Sequence, residues 1–224
     1  MPSLPSLTKF KIHISETIGD VSALLMVPAK SKAVLVLAHG AGAGMDHAFM
    51  ATLAEELQAR SVCTIRFNFP YLEQGKRRPD FPEVAEKTVK RLIEVATERC
   101  PKVPLFVSGK SFGGRMSSQY LSKEQPRAVK GIIFFGFPLH PAGKPSIARA
   151  EHLSLIKIPM LFLQGTRDTL ADLKLMHKVL KNLPTATLKT FEGADHSFKI
   201  SKKHIVDVLA DETSDWIDKI LARK

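Results

Sequence analysis

The chain has 224 residues, of which 44% are hydrophobic and 25% are charged, and it carries a net charge of +11. This composition excludes a disordered or fibrous chain and suits one globular domain, which we expect to span residues 1–224. The longest apolar runs, at 33–38 and 132–135, are far shorter than the roughly 20 residues of a membrane helix, and the N-terminus lacks a secretory-signal pattern. We therefore expect a cytoplasmic protein with no membrane partner.

Predicted strands and helices alternate along the chain. An opening antiparallel pair is expected at 10–14 and 21–27. Continuous apolar runs, typical of strands buried on both faces of a parallel sheet, follow at 33–38, 62–67, 104–108, 129–135 and 158–164, with a last strand at 186–191. Helices are predicted at about 47–60, 84–100, 112–123, 172–182 and 205–220. This order predicts an α/β fold with a sheet of about eight strands, parallel except at its N-terminal edge and flanked by helices.

The positive charge is scattered rather than concentrated. Its densest spots, at 76–78 and 199–203, are short, and no aromatic residues stand among the basic ones to stack on bases. Solvated surface is therefore favoured over a specific nucleic-acid partner. The two cysteines, Cys63 and Cys100, lack metal-ligand spacing, and the sequence predicts neither a metal nor another cofactor.

A serine stands at the end of a predicted strand, where the ligand site of such a sheet is expected. The residues from Gly109 to Gly113 read G-K-S-F-G between the strand at 104–108 and the next helix. In that context G-x-S-x-G forms a tight turn that lifts the serine hydroxyl into a cleft. The pattern predicts Ser111 as a nucleophile and the N–H of Phe112 as an oxyanion donor. A phosphate-binding loop is excluded, because Pro104 occupies the position of its first glycine.

A glycine-rich loop, H-G-A-G-A-G, follows the strand at 33–38. Hydrolase folds place their second oxyanion donor there, which predicts the N–H of Ala41 for that role and Gly42 as a candidate substrate-binding residue. A loop without a ligand remains the alternative. A dinucleotide fingerprint is excluded because Met45 and His47 stand where it needs glycine.

A serine nucleophile needs a base, and hydrolases of this type carry the nucleophile, acid and histidine in that order. Asp168 follows the strand at 158–164, and His196 follows the last strand, so both should meet Ser111 at one edge of the sheet. Asp172 is a rival for the acid, and Asp195 adjoins the base. The rival bases are His140, His152, His177 and His204.

Six motifs together resemble the small α/β-hydrolases allied to the dienelactone hydrolases: G-K-S-F-G-G-R, H-G-A-G-A-G, R-F-N-F-P-Y, G-F-P-L-H-P, Q-G-T-R-D and G-A-D-H-S-F. Within these, the chain is most similar to the hydrolase-like group of testis-expressed protein thirty and of subunit three of a nonspecific-lethal histone acetyltransferase complex. The resemblance spans about residues 32–198. It implies the α/β-hydrolase fold and the same three residues, but no particular substrate, and some relatives serve as binding or scaffold domains.

Further candidate substrate-binding residues border the expected cleft. Asn68 and Tyr71 follow the fourth strand, His140 follows the sixth, and Lys110 adjoins the nucleophile. The first three could instead only close loops around proline turns. The stretch between the sixth and seventh strands is too short for a helical cap, so no cap domain is expected and the cleft should be open.

The leading hypothesis is therefore a serine hydrolase, like a carboxylesterase or thioesterase, that cleaves ester, thioester or related acyl bonds of a small soluble substrate. One alternative is a hydrolase-fold binding or scaffold module with an idle triad. Another is a nucleic-acid-associated protein that uses the positive charge. We expect a monomer or a homodimer.

Overall fold

A computed structural model describes residues 5–222 of the chain. Residues 1–4 and 223–224 lie outside this range. The expectations about a signal sequence and about one domain over 1–224 concern these residues in part. Eight strands form the main sheet: β1 (Ser6–Ser15), β2 (Gly19–Val27), β3 (Ala33–Ala38), β4 (Val62–Phe67), β5 (Leu105–Lys110), β6 (Val129–Phe135), β7 (Met160–Gly165) and β8 (Ala186–Phe191). Six helices accompany them: α1 (Ala48–Ala59), α2 (Pro70–Glu73), α3 (Pro82–Arg99), α4 (Phe112–Lys123), α5 (Leu173–Leu180) and α6 (Val206–Leu221).

The main sheet is mostly parallel. Its strand order is β1-β2-β4-β3-β5-β6-β7-β8. Strand β2 pairs antiparallel with both β1 and β4, and every other pair is parallel. This arrangement confirms the predicted fold, including the antiparallel N-terminal edge.

Two apolar layers cover the faces of the sheet. In β3, Val34 and Val36 belong to the layer that contains α3 and α4, whereas Leu35 and Leu37 belong to the layer that contains α1 and α6. All six residues of β3 are buried, and so are all six of β4. Because both faces are covered, these strands carry continuous apolar runs instead of alternating ones.

Three short elements were not expected from the sequence. They are helix α2, the 3-10 helix Ala148–Leu155, and a small hairpin of β9 (Lys199–Ile200) and β10 (Lys203–His204). The 3-10 helix packs on α4, where His152 shares a hydrogen bond of 2.7 Å with Ser118. It is the one helical element between β6 and β7, so the segment between these strands forms no helical cap over the sheet edge.

None of the helices within residues 5–222 has the length and apolar character needed to cross a membrane.

Candidate active site

Ser111 lies in the sharp turn between β5 and α4. Its φ of 50° and ψ of −112° place it in a region that non-glycine residues rarely adopt. A Cβ atom on Gly113 would lie 2.6 Å from the His39 carbonyl oxygen, and one on Gly109 would overlap the backbone of Gly114. Glycine on both sides of the serine is therefore what allows α4 to begin so close to β3 and β5.

Ser111, His196 and Asp168 form a hydrogen-bonded chain. The Ser111 hydroxyl donates to His196 Nε2 at 2.9 Å, and His196 Nδ1 donates to Asp168 Oδ2 at 2.7 Å. The three residues follow β5, β8 and β7, whose carboxyl ends meet at one edge of the sheet. The structure thus brings together the three residues that the sequence predicted for nucleophile, base and acid.

Asp168 is held in its charged form by several donors. Its side chain is fully buried, which by itself would raise its pKa. The hydrogen bond and charge of His196, the backbone N–H of Leu170 at 2.8 Å and the nearby ammonium of Lys110 more than offset burial, so the pKa lies below its usual value. Gln164 Nε2 also donates to Oδ2. The acid is therefore anionic and fixed in direction at neutral pH.

The rival acids are engaged elsewhere. Asp172 caps α5 by accepting the Leu175 N–H at 3.0 Å, and Asp195 accepts the backbone N–H groups of Ser197 and Lys199. Neither carboxylate contacts the His196 ring through a hydrogen bond. Asp168 is the carboxylate that bonds to it.

The glycine-rich loop is fixed by buried groups. The Gly40 carbonyl accepts from His39 Nδ1 at 2.8 Å and from the Ala43 N–H at 3.2 Å. These two bonds orient the peptide that carries the Ala41 N–H. The Phe112 N–H lies in the first turn of α4, where backbone donors have no acceptor within the helix. Phe112 directly follows Ser111, and a Cβ atom on Gly40 would lie 3.8 Å from the Ser111 Cβ, so both predicted oxyanion donors belong to peptides near the nucleophile.

Three candidate substrate-binding residues turn out to bind protein. Tyr71 is fully buried and donates to the Ala41 carbonyl at 2.8 Å. Asn68 accepts the Met45 N–H through Oδ1 and donates to Glu73 through Nδ2. His140 is buried, with Nε2 accepting the Asp172 N–H at 2.9 Å and Nδ1 donating to the Pro141 carbonyl. Each side chain ties a loop around the cleft, which is the alternative role that the sequence left open, and a contact with the substrate stays a prediction.

A sequence model described as an alpha/beta hydrolase domain matches residues 31–221. The chain belongs to this family. The matched segment runs from just before β3 to the end of α6, and it contains all three residues of the hydrogen-bonded chain.

Solved hydrolases have the same fold. A dienelactone hydrolase from Anabaena variabilis superposes with a TM-score of 0.77 at 18% identity, covering 97% of this chain and 99% of that chain. A serine hydrolase without lid from Xanthomonas campestris gives a TM-score of 0.72 at 18% identity, covering 100% and 97%. At a sequence identity of 18%, these matches show only that the folds are alike.

A curated relative from Mycobacterium tuberculosis, named provisionally as a phosphoribosyl transferase, is 26% identical over 219 residues. The match covers 95% of this chain and 46% of the relative. The chain therefore spans about half the length of the curated relatives it matches.

The α/β-hydrolase carries an open cavity of about 640 Å³ beside the triad. Ser111, His196, Ala41, Gly42 and Lys110 line it, as the sequence predicted for a cleft at this edge. Other lining residues were not expected there, among them His47, Ala48, Phe49 and Met50 of α1 and its N-cap, and Lys199 and His204 of the hairpin. No carboxylate is among the lining residues that the structure describes.

Within the described part of the hydrolase, no three His, Cys, Asp or Glu side chains converge as metal ligands would.

Proposed function

We propose that the protein is a serine hydrolase of ester, thioester or related acyl bonds, with Ser111 as nucleophile, His196 as base and Asp168 as acid. One observation carries the proposal: the Ser111 hydroxyl lies 2.9 Å from an imidazole whose other nitrogen donates to a buried carboxylate. This arrangement activates a hydroxyl that is a weak nucleophile on its own.

We infer the course of the reaction from this geometry. His196 Nε2 takes the proton as Ser111 Oγ attacks the acyl carbon, and the N–H groups of Phe112 and Ala41 stabilise the oxyanion. The imidazolium then protonates the leaving group, and an acyl-enzyme remains. Water, activated by the same imidazole, releases the acid and restores Ser111. Asp168 orients the ring and stabilises its charged form throughout.

The cleft favours a small, soluble substrate, because no cap encloses it. A cavity of about 640 Å³ lies within the range of small-molecule sites. Structural neighbours named as esterase or dienelactone hydrolase support acyl chemistry. We further propose, from the shared motifs, membership of the group of testis-expressed protein thirty and the nonspecific-lethal complex subunit.

The proposal is tested by replacing Ser111 with alanine. Hydrolysis of p-nitrophenyl acetate should fall about 10³-fold or more, and labelling by a fluorophosphonate probe should disappear. Ser154→Ala is the matched control: this exposed serine of the 3-10 helix should leave both signals unchanged. A folded wild-type protein that neither hydrolyses the ester nor accepts the probe would support the binding-module alternative instead.

A further inference from the structure

The side chain of Lys110 crosses from the nucleophile turn to the loop that bears the base. Its Nζ atom donates to the carbonyl oxygen of His196 at 2.6 Å and lies 5.5 Å from the centre of the Phe198 ring. Lys110 directly precedes Ser111 in the chain. A single side chain therefore connects the backbone of the nucleophile turn to the backbone of the base.

Gly136 shows how closely the groups around Lys110 converge. A Cβ atom on Gly136 would lie 3.3 Å from Lys110 Nζ, 3.5 Å from Asp168 Oδ2 and 3.5 Å from His196 Cε1. The ammonium, the carboxylate and the imidazole thus surround the same point. The φ of +70° at Gly136 is a second reason for glycine there, since L side chains rarely adopt it.

The ammonium is only partly accessible. Lys110 is half-buried, and burial lowers its pKa to about 8, although the charges of Asp168 and Asp195 act to raise it. At neutral pH it therefore remains charged, and hydrogen bonds from charged donors are about twice as strong as neutral ones. One of its N–H groups is engaged by the His196 carbonyl, so the ammonium already has a hydrogen-bond partner within the protein.

The other hydrogen bonds of the base-loop backbone do not reach the nucleophile turn. The Ala194 carbonyl accepts the Arg167 N–H, and Asp195 bonds to Ser197 and Lys199 within the loop and hairpin. His204 Nδ1 also donates to the Ser197 carbonyl, and the Ile205 N–H donates to the Phe198 carbonyl. Together these bonds connect the loop to the acid turn, to the hairpin, to the start of α6 and to itself. The Lys110 bond is the one that ties the His196 backbone to the turn of the nucleophile.

We propose that Lys110 is a positioning residue, which fixes the loop of His196 against Ser111 through the bond from its ammonium to the His196 carbonyl. The inference deepens the proposed function and rests on it for its kinetic consequence. A displacement of about 1 Å between reacting groups can cost about 10²-fold in rate. Loss of this bond should therefore slow turnover without weakening substrate binding.

The kinetic test compares Lys110→Met, which removes the donors, with Lys110→Arg, which keeps them. For p-nitrophenyl acetate, kcat should fall about tenfold or more in the methionine variant while KM changes less than about twofold, and arginine should recover much of the loss. Lys130→Met is the matched control, because this exposed lysine is the second residue of β6, at the opposite end of the strands from Ser111. A raised KM with unchanged kcat in Lys110→Met would overturn the proposal and make Lys110 a substrate contact.

A second readout does not depend on turnover. The Nδ1 proton of His196, donated to Asp168, should give a downfield proton resonance in wild type and in Ser111→Ala alike. We expect this resonance to broaden or vanish in Lys110→Met and to persist in Lys110→Arg and Lys130→Met, with thermal unfolding followed in each variant. An unchanged resonance in folded Lys110→Met would overturn the inference. A wild type that shows the Lys110-dependent resonance but no hydrolysis would refute the proposed function and leave the positioning role standing.

Discussion

Each residue of the triad depends on neighbours that fix its direction. Ser111 adopts its unusual backbone angles because two glycines let the turn close, and His196 has both ring nitrogens in hydrogen bonds. Asp168 accepts three hydrogen bonds, from His196, Gln164 and Leu170. Such a site is assembled before any substrate arrives, which reduces the reorganisation that the reaction requires.

Asp168→Asn should reduce kcat by about 10³- to 10⁴-fold with little change in KM. The amide is nearly isosteric, but its NH₂ group stabilises the wrong tautomer of His196 and leaves the imidazolium without a counter-charge. Steady-state hydrolysis of p-nitrophenyl acetate measures the effect. Asp172→Asn is the control, because that carboxylate caps α5. An equal loss in both variants would show that the acid has been misassigned.

The chemistry of single residues was easier to predict than the direction of their side chains. Ser111, Asp168 and His196 stand at strand ends within motifs whose spacing restricts their role. Asn68, Tyr71 and His140 also stand at strand ends, yet they point into the loops and bind backbone groups. The path of a loop after a strand decides this, and a single sequence carries no signal for that path.

At the scale of elements, buried histidines tie together the loops that frame the cleft. His39, at the end of β3, accepts the Phe69 N–H at the start of α2 and donates to Gly40. His140 joins the loop after β6 to the Asp172 N–H at the start of α5. Each bond pattern requires a neutral ring with one donor and one acceptor.

Acid should lower the free energy of unfolding by protonating His39, whose ring hydrogen-bonds both Gly40 and Phe69. Burial lowers its pKa from 6.5 to about 4, so between these values the unfolded chain binds a proton that the folded one does not. Stability is therefore lost as the pH falls from 6.5 towards 4, and His39 should account for about 2 kcal/mol between pH 7 and 5. Urea unfolding at both pH values measures the loss.

The variant His39→Gln should show a smaller difference between the two pH values than wild type, although it is less stable at neutral pH. His177→Gln, on the exposed side of α5, serves as the control and should keep the wild-type difference. If His39→Gln loses as much stability between pH 7 and pH 5 as the wild type does, other groups cause the effect. His152 is the first to consider, since burial also lowers its pKa to about 4.

Strands and helices were predicted correctly where their burial produces a hydrophobic pattern of six or more residues. The strands of the sheet and the five longer helices were all anticipated, because six or more residues carry a period or a continuous apolar run. The hairpin of two-residue strands and the four-residue α2 carry no such pattern. The hairpin nevertheless supplies part of the cavity lining, so the shape of the site was less predictable than its chemistry.

At the scale of the whole molecule, residues 5–222 form an open cavity next to the nucleophile and no enclosed tunnel there. The alternation of strands and helices predicted this architecture, and the short segment between β6 and β7 predicted the missing cap. The overall charge of +11 was less informative, because scattered surface charge says little about a partner.

Short acyl substrates should be hydrolysed better than long ones. Each methylene that the cavity buries contributes about 0.8 kcal/mol, or about fourfold in kcat/KM, but only while a wall excludes water. The gain should therefore end after a few carbons. A series of p-nitrophenyl esters from acetate to palmitate measures it, with micelle formation by the long esters controlled by dilution. A rise that continues to palmitate would require an enclosed channel that the described residues do not form.

An acyl group attached to Ser111 would face the solvent, since nothing between β6 and β7 closes over it. Closed sites protect such intermediates from side reactions. In this open site, a small alcohol can approach the acyl carbon by the same route as water. Its attack would release a new ester and restore Ser111. Methanol in the assay should thus divert part of the product from the free acid to the methyl ester, which chromatography resolves. If the product is entirely the free acid, only water reaches the acyl carbon, and the site is less open than the structure indicates.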